Sequence, residues 1–336
     1  MKRLVITLAL AALLLVALAA PAGASSTVWQ PSTLATFASG DYGAFAESLA
    51  ADRAGNLFAT LTSWGLEADV GEVWKITPSG QMTLVATIDV GPGLLTGIAF
   101  DAAGHLYVAA ATFSAAPLSG VFRIDPDGPA GQTATRVMTL PVSSFPNGLA
   151  CRNGYLYVSD SVMGAIWRAP SAAASSPSAP WVKNALLKPS MNGLGANGIA
   201  FRQNQLFIAA SDSGRVFRVP VTADGSAGAL IVVAHLKALR SADGIAFDIC
   251  GGLWITTNHG AGVSSTGTSG GLYRLSPDGT LETIASSPDW LDYPSMPVFG
   301  TTRSTRTTLF VTNGSFEIGA PNLIALEAGI PGLPLW

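Results

Sequence analysis

Short apolar runs separated by turn residues recur along this chain about every fifty residues, and each unit has the same internal order. A polar residue precedes a first short apolar strand, usually with a glycine between them; a turn follows; then comes a second strand, in most units of the form x-Leu-aromatic-Val/Ile. The second strands start at Asn56, His105, Tyr155, Gln205, Gly252 and Thr308, and their leucines are Leu57, Leu106, Leu156, Leu206, Leu253 and Leu309. The spacings between these leucines are 49, 50, 50, 47 and 56 residues. A repeat of this length built from short strands predicts an all-β, six-bladed β-propeller with four-stranded blades.

Third strands follow at Gly71, Gly120, Gly164, Gly214, Gly270 and Asn322, and Pro-Asp-Gly turns close two of them at Pro126 and Pro277. The fourth strands are less regular, and after Leu326 too little chain remains for another. The segment Thr27 to Ala38 is therefore predicted to supply the outer strand of the last blade, closing the ring and hiding its edges.

Lys2 and Arg3, the apolar stretch Leu4 to Ala20 and the small residues Ala22-Gly23-Ala24 read as a signal peptide over residues 1–24. Residues 25–336 are then one propeller domain, exported to a secreted or periplasmic location, with no membrane partner after cleavage. Without Lys2 and Arg3 the chain carries 16 basic residues against 21 acidic, a net charge of −5, which argues against nucleic acid as a partner. The two cysteines, Cys151 and Cys250, fall in non-adjacent repeats, too far apart for a disulfide; both are expected to be buried thiols.

Candidate chemistry lies where each first strand begins. The sequences there are Glu47-Ser48-Leu49, Thr96-Gly97-Ile98, Asn147-Gly148-Leu149, Asn197-Gly198-Ile199, Asp243-Gly244-Ile245 and Ser295-Met296-Pro297. Rotation about the propeller axis gathers these positions at one mouth of the channel, bringing two carboxylates and two amides together. Asn-Gly and Asp-Gly are also ordinary turn dipeptides, but Glu47 has no turn-forming reason to be there. Oxygen donors without His or Cys suit one hard divalent ion, Ca²⁺ first or Mg²⁺, with Mn²⁺ or Zn²⁺ as alternatives. Two other motifs are set aside. Gly267-Thr268-Ser269-Gly270-Gly271 matches G-x-S-x-G without the strand-to-helix elbow, and Gly193 to Gly198 matches G-x-G-x-x-G without a following helix.

Glu47, Asn197-Gly198, the run Ala242 to Asp248 followed by Gly252-Leu253-Trp254-Ile255, and Phe299-Gly300 with Leu309 to Thr312 resemble the SMP-30/gluconolactonase/LRE-like propellers, to which regucalcin and several lactonases belong. That resemblance implies a metal held by Glu47, Asn197 and Asp243, with Asn147 contacting substrate. Ser48-Leu49 and Gly148 depart from the family's usual residues and bear on substrate identity. The implied activity is an exported metal-dependent hydrolase opening a lactone or related ester, with Asp243 as general base. The alternatives are a non-catalytic propeller binding a protein or glycan, and a strictosidine-synthase-like or lyase enzyme. Trp64, Asp160, Asp212, Asn258 and His259 are placed near the mouth as specificity candidates, and Gly260 to Gly271 as a lid.

Overall fold

The computed structural model describes residues 29–37, 44–63, 70–116, 118–190, 193–258, 270–286, 290–314 and 320–334. The expected signal peptide, Trp64, His259 and nearly all of the expected lid lie outside the described residues. The chain forms six antiparallel sheets arranged as a six-bladed propeller. The inner strands are Ala44–Ala51, Leu94–Phe100, Pro146–Arg152, Ala196–Arg202, Ala242–Phe247 and Pro294–Phe299. Each pairs with the second strand of its own blade and packs beside the inner strands of its neighbours.

The last blade is completed from the other end of the chain. Pro31–Thr36 runs antiparallel to Asn322–Glu327, with Pro31 opposite Leu326 and Thr36 opposite Asn322. The blade therefore cannot form until the two ends of the chain meet. The pair Gln132–Thr133 adds a fifth, parallel strand to the outer edge of blade one, opposite Ala86 and Thr87.

The second strands explain the x-Leu-aromatic pattern. Leu106–Ala111 is buried along its whole length because both faces of a mid-blade strand meet neighbouring blades, so it reads as a continuous apolar run rather than an alternating one. Among the described residues the core divides into six clusters, one at each junction between blades. Phe58 and Ile98 share one cluster across blades one and two, Tyr107 and Trp167 across two and three, and Tyr157 and Phe217 across three and four. Val216 and Tyr273 span four and five, Trp254 and Leu309 five and six, and Phe310 and Leu57 join six to one.

Two expectations need correction. Cys250 is exposed, in the turn that leaves the inner strand of blade five, and is not a core thiol. Cys151 is half-buried, and burial, followed by the charge of Asp101, holds its thiol well above the ordinary range. Asp160 is no mouth residue. It is fully buried, and its carboxylate accepts from the backbone N–H of Phe145 (3.1 Å), Val162 (3.2 Å) and Met163 (2.9 Å) and from Trp167 Nε1 (3.0 Å). A buried acid with four donors is a structural brace, since each donor would otherwise be left unpaired.

Candidate functional site

Every inner strand carries a register shift at the same height. The shifts fall between Ala46 and Leu49, Leu95 and Ile98, Pro146 and Leu149, Ala196 and Ile199, Ala242 and Ile245, and Pro294 and Pro297. The residues inside them are Glu47-Ser48, Thr96-Gly97, Asn147-Gly148, Asn197-Gly198, Asp243-Gly244 and Ser295-Met296. The Asn-Gly and Asp-Gly pairs are thus β-bulges rather than hairpin turns, and a bulge re-aims the side chain it carries.

The glycines have a packing reason. A Cβ on Gly148 would lie 2.5 Å from the carbonyl oxygen of Asn197, and one on Gly244 would lie 2.5 Å from that of Ser295. Gly97 meets Asn147 O and Gly198 meets Asp243 O in the same way. In four of the six blades, then, the residue after the ring position must lack a side chain so that the next blade's inner strand can approach the axis.

Hydroxyls tie the ring at this height. Thr60 Oγ1 donates to Thr96 O (3.1 Å) and Thr96 Oγ1 to Pro146 O (3.0 Å). Ser159 Oγ donates to Asn197 O (2.6 Å) and Ser211 Oγ to Ala242 O (2.5 Å). Thr256 Oγ1 donates to Ser295 O (2.5 Å) and Thr312 Oγ1 to Glu47 O (3.3 Å). All six junctions are closed by a side chain of one blade holding a backbone carbonyl of the next. The backbone carrying the polar ring is therefore fixed before any ligand arrives.

Within the ring, Glu47, Asn197 and Asp243 stand on one tier, Asp243 acting on Glu47 and lying beside Asn197, with Asn147 one blade further round. Asn147 Nδ2 donates to Ser161 Oγ (3.1 Å), and Asn197 Nδ2 donates to Ser211 Oγ (3.0 Å). Ser161 Oγ in turn donates to Ala196 O (2.6 Å), as Ser211 does to Ala242 O, so the two amides are oriented by the same relay fifty residues apart. Asn197 stands near enough to Asp243 to lower its pKa, and Asn258 Nδ2 donates to Asp243 Oδ2 (2.8 Å). Asn258, expected only as a rim residue, sits directly on the carboxylate.

Two members of the site carried no signal in their residue type. Ser295 lies close enough to Glu47 and Asp243 to lower the pKa of each, and its hydroxyl donates to Tyr293 O (3.4 Å) and meets Asn258 Nδ2 at 3.3 Å. The one available clue was its ring-equivalent position. Tyr293, two residues earlier, has φ +61° and packs edge-on against Phe45 at 5.8 Å. Burial, then the nearby Asp243 and Glu47, push its phenol up to about 12, so it stays a neutral hydroxyl. Asp212 accepts from Ser190 N at 3.2 Å.

Burial is the largest influence on both acids. It raises Glu47 well above the usual carboxylate range, the charge of Asp243 adds to this, and the Ser295 hydroxyl opposes it. Burial raises Asp243 to about 7, opposed by hydrogen bonds from Asn258, Ser295 and Asn197. Two acids, Asp243 buried and Glu47 half-buried, that resist ionising side by side among amide and hydroxyl oxygens fit a hard divalent cation, which would neutralise the pair. Among the described residues no group of three or more His, Cys, Asp or Glu could hold a metal, so at most two acids would be ligands and the remaining donors would be neutral oxygens.

A pH dependence follows. Asp243 has a folded pKa of about 7 against an ordinary 3.8, so the protonated form favours the metal-free fold. That contribution is complete below about pH 4 and is lost as pH rises through about 7. Cation binding needs the ionised acids, so apparent affinity for Ca²⁺ should climb steeply from pH 5 to pH 8, by up to roughly tenfold per pH unit for each proton displaced. Calorimetric titrations across that range check it; a flat profile would mean that these acids do not bind the ion.

Beyond the ring, along the axis, lies an apolar cavity of about 510 Å³ lined by Leu49, Ile98, Phe201, Phe247, Phe299 and Cys151 among others. The polar tier therefore has an apolar floor.

The SMP-30/Gluconolactonase/LRE-like region matches residues 190–315, a span covering Asn197, Asp243, Asn258 and Ser295 but not Glu47 or Asn147. No curated protein matches the chain in sequence. Among solved structures it is similar to a gluconolactonase from Xanthomonas campestris, at 18% identity and TM-score 0.60, covering 90% of each chain. It is also similar to a calcium-binding protein, regucalcin, from Agrobacterium tumefaciens, at 16% identity and TM-score 0.59, covering 86% of this chain and 90% of that one. A PQQ-bound aldose sugar dehydrogenase from Streptomyces coelicolor aligns as well, at 15% identity and TM-score 0.59, over 89% and 98%. At these identities the shared feature is the propeller itself, which carries different chemistries.

Proposed function

We propose that this protein is an exported hydrolase of the lactonase type, opening a lactone or related ester at the axial ring with the help of one divalent cation, Ca²⁺ being the best fit. The observation that carries the reading is the pair of acids, half-buried Glu47 and buried Asp243, standing on one tier beside Ser295 and flanked by two pre-oriented asparagine amides. The match over residues 190–315 and the gluconolactonase-like propeller support it.

Glu47, Asn197 and Asp243 would hold the cation, which when bound supplies Lewis acidity toward a carbonyl oxygen. Asp243 takes a proton from water at its free carboxylate oxygen as the water oxygen bonds to the carbonyl carbon, and returns that proton to the ring oxygen as the ring C–O bond breaks, while Asn258 keeps Oδ2 engaged and the carboxyl plane fixed. Asn147, with one N–H held by Ser161, would orient the substrate carbonyl with the other. Tyr293 contributes a neutral hydroxyl beside the two acids, suited to donating to a developing oxyanion.

The test is hydrolysis of a lactone panel followed by base uptake, with and without chelator. Turnover restored by Ca²⁺ and reduced at least about a hundredfold in Asp243→Asn is expected. A folded protein that binds the ion yet opens no lactone or ester would overturn the hydrolase reading in favour of a binding propeller.

A further inference from the structure

Eight large apolar side chains stand exposed among the described residues, and three of them lie on neighbouring loops of blades two and three at the ligand face. Phe113 is 52% exposed, Val142 53% and Val162 47%. Phe113 follows the second strand of blade two and holds φ +52°, a conformation that is uncommon for a residue with a bulky side chain. Its ring lies on that of Phe145, with centroids 5.3 Å apart and planes tilted by 34°.

This apolar shelf is continuous with the polar ring. Phe145 stands two residues before Asn147, and Val162 directly follows Ser161, whose hydroxyl receives the Asn147 amide. It is also held in place from beneath. The Asp160 carboxylate accepts the backbone N–H of both Phe145 and Val162, and Ser119 links Thr112 N (3.1 Å) to Ser144 O (3.3 Å). An exposed phenylalanine stored in a strained conformation over a braced support is an arrangement with a cost, and such costs concentrate at binding sites.

We propose that Phe113, Phe145, Val142 and Val162 form a subsite for the apolar chain of the substrate, so that the preferred lactone or ester carries an alkyl or aryl substituent rather than being fully hydroxylated. This rests on the hydrolase reading above. Four side chains offer far less than the roughly 800 Å² per partner of a stable protein interface. The segments 112–116, 141–145 and 161–163 contain no Lys or Arg to draw an anionic membrane surface. A chain of several methylenes, anchored by a carbonyl at Asn147, fits both the size and the position.

The experiment compares γ-butyrolactone, γ-octalactone and γ-dodecalactone as substrates of the wild type and of Phe113→Asn, which tolerates the positive φ while removing the ring. In the wild type kcat/KM should rise with chain length, by roughly threefold to fourfold for each methylene the shelf covers. In Phe113→Asn activity on γ-dodecalactone should fall at least about tenfold while γ-butyrolactone stays within about twofold. Equal kcat/KM for the three lactones, or a uniform loss in the variant, would overturn the subsite. If no lactone is opened, calorimetric binding of γ-dodecalactone decides separately. Binding weakened by Phe113→Asn keeps the subsite while the hydrolase reading falls, and binding that is absent or unaffected removes it.

Discussion

Gly198→Ala is expected to be among the most damaging single-methyl changes in this protein, lowering stability by about 2–4 kcal/mol. The new Cβ would run into the carbonyl oxygen of Asp243, with the Gly244 Cα at 2.9 Å and the Asp243 carbonyl carbon at 3.0 Å. All three neighbours are backbone atoms of the next inner strand, held by the Ser211 hydroxyl at Ala242 O, so they cannot swing aside as a side chain would. Relief comes only by spreading blades four and five, which displaces Asp243 from the ring. Gly104→Ala is the control, because Gly104 has φ +89° and open space around its Cβ position. It should cost about 1 kcal/mol, from backbone conformation alone. Chemical denaturation of both variants measures the difference, and equal losses would mean that close approach of the blades is not what the bulge glycines provide.

Glu47→Gln should move stability in two directions at once. In metal-free protein at pH 8 the wild type must keep two neighbouring acids, one buried and one half-buried, ionised side by side, or carry a proton that solvent would take. Removing one charge should therefore stabilise the metal-free fold by about 1–3 kcal/mol while abolishing the response to Ca²⁺. The wild type should show the reverse, a melting temperature that rises with Ca²⁺ and drops on chelation. The effect on the variant should shrink below pH 5, where the acids are protonated in either protein. Thermal melts at the two pH values, with and without Ca²⁺, make the comparison. A Glu47→Gln variant less stable than the metal-free wild type at pH 8 would mean that the carboxylate is structurally satisfied and not held ready for a cation.

The architecture was legible because the second strands are buried on both faces. Leu57 through Leu309 fill equivalent places in the junction cores, and the near-constant spacing of these leucines reports the blade directly. The closing strand was legible for a different reason, the shortage of chain after Leu326. The site was partly legible, since Glu47, Asn147, Asn197 and Asp243 stand at one height on the ring because rotation about the axis relates their positions. Spacing reports their position, and the choice of ligand rests on chemistry that spacing does not encode.

Ser295 and Asn258 show where such reading stops. Serine is common at ordinary strand starts, so nothing in its type set Ser295 apart until the fold stood it beside both acids. Asp160 failed in the opposite sense. A carboxylate after a second strand suggested the mouth, yet its four donors, three backbone N–H groups and the Trp167 indole, draw it into the interior. The Asn-Gly pairs resembled turns because glycine serves turns and bulges alike, and only the neighbouring blade, distant in sequence, distinguishes the two uses.

The most direct measurement is the divalent metal content of the purified protein, by elemental analysis after dialysis against Ca²⁺, alongside Glu47→Gln and Asp243→Asn. One ion per chain in the wild type and none in either variant is the expected result. Wild-type protein without a stoichiometric ion, or variants that keep it, would contradict the assignment of the axial ring as a cation site.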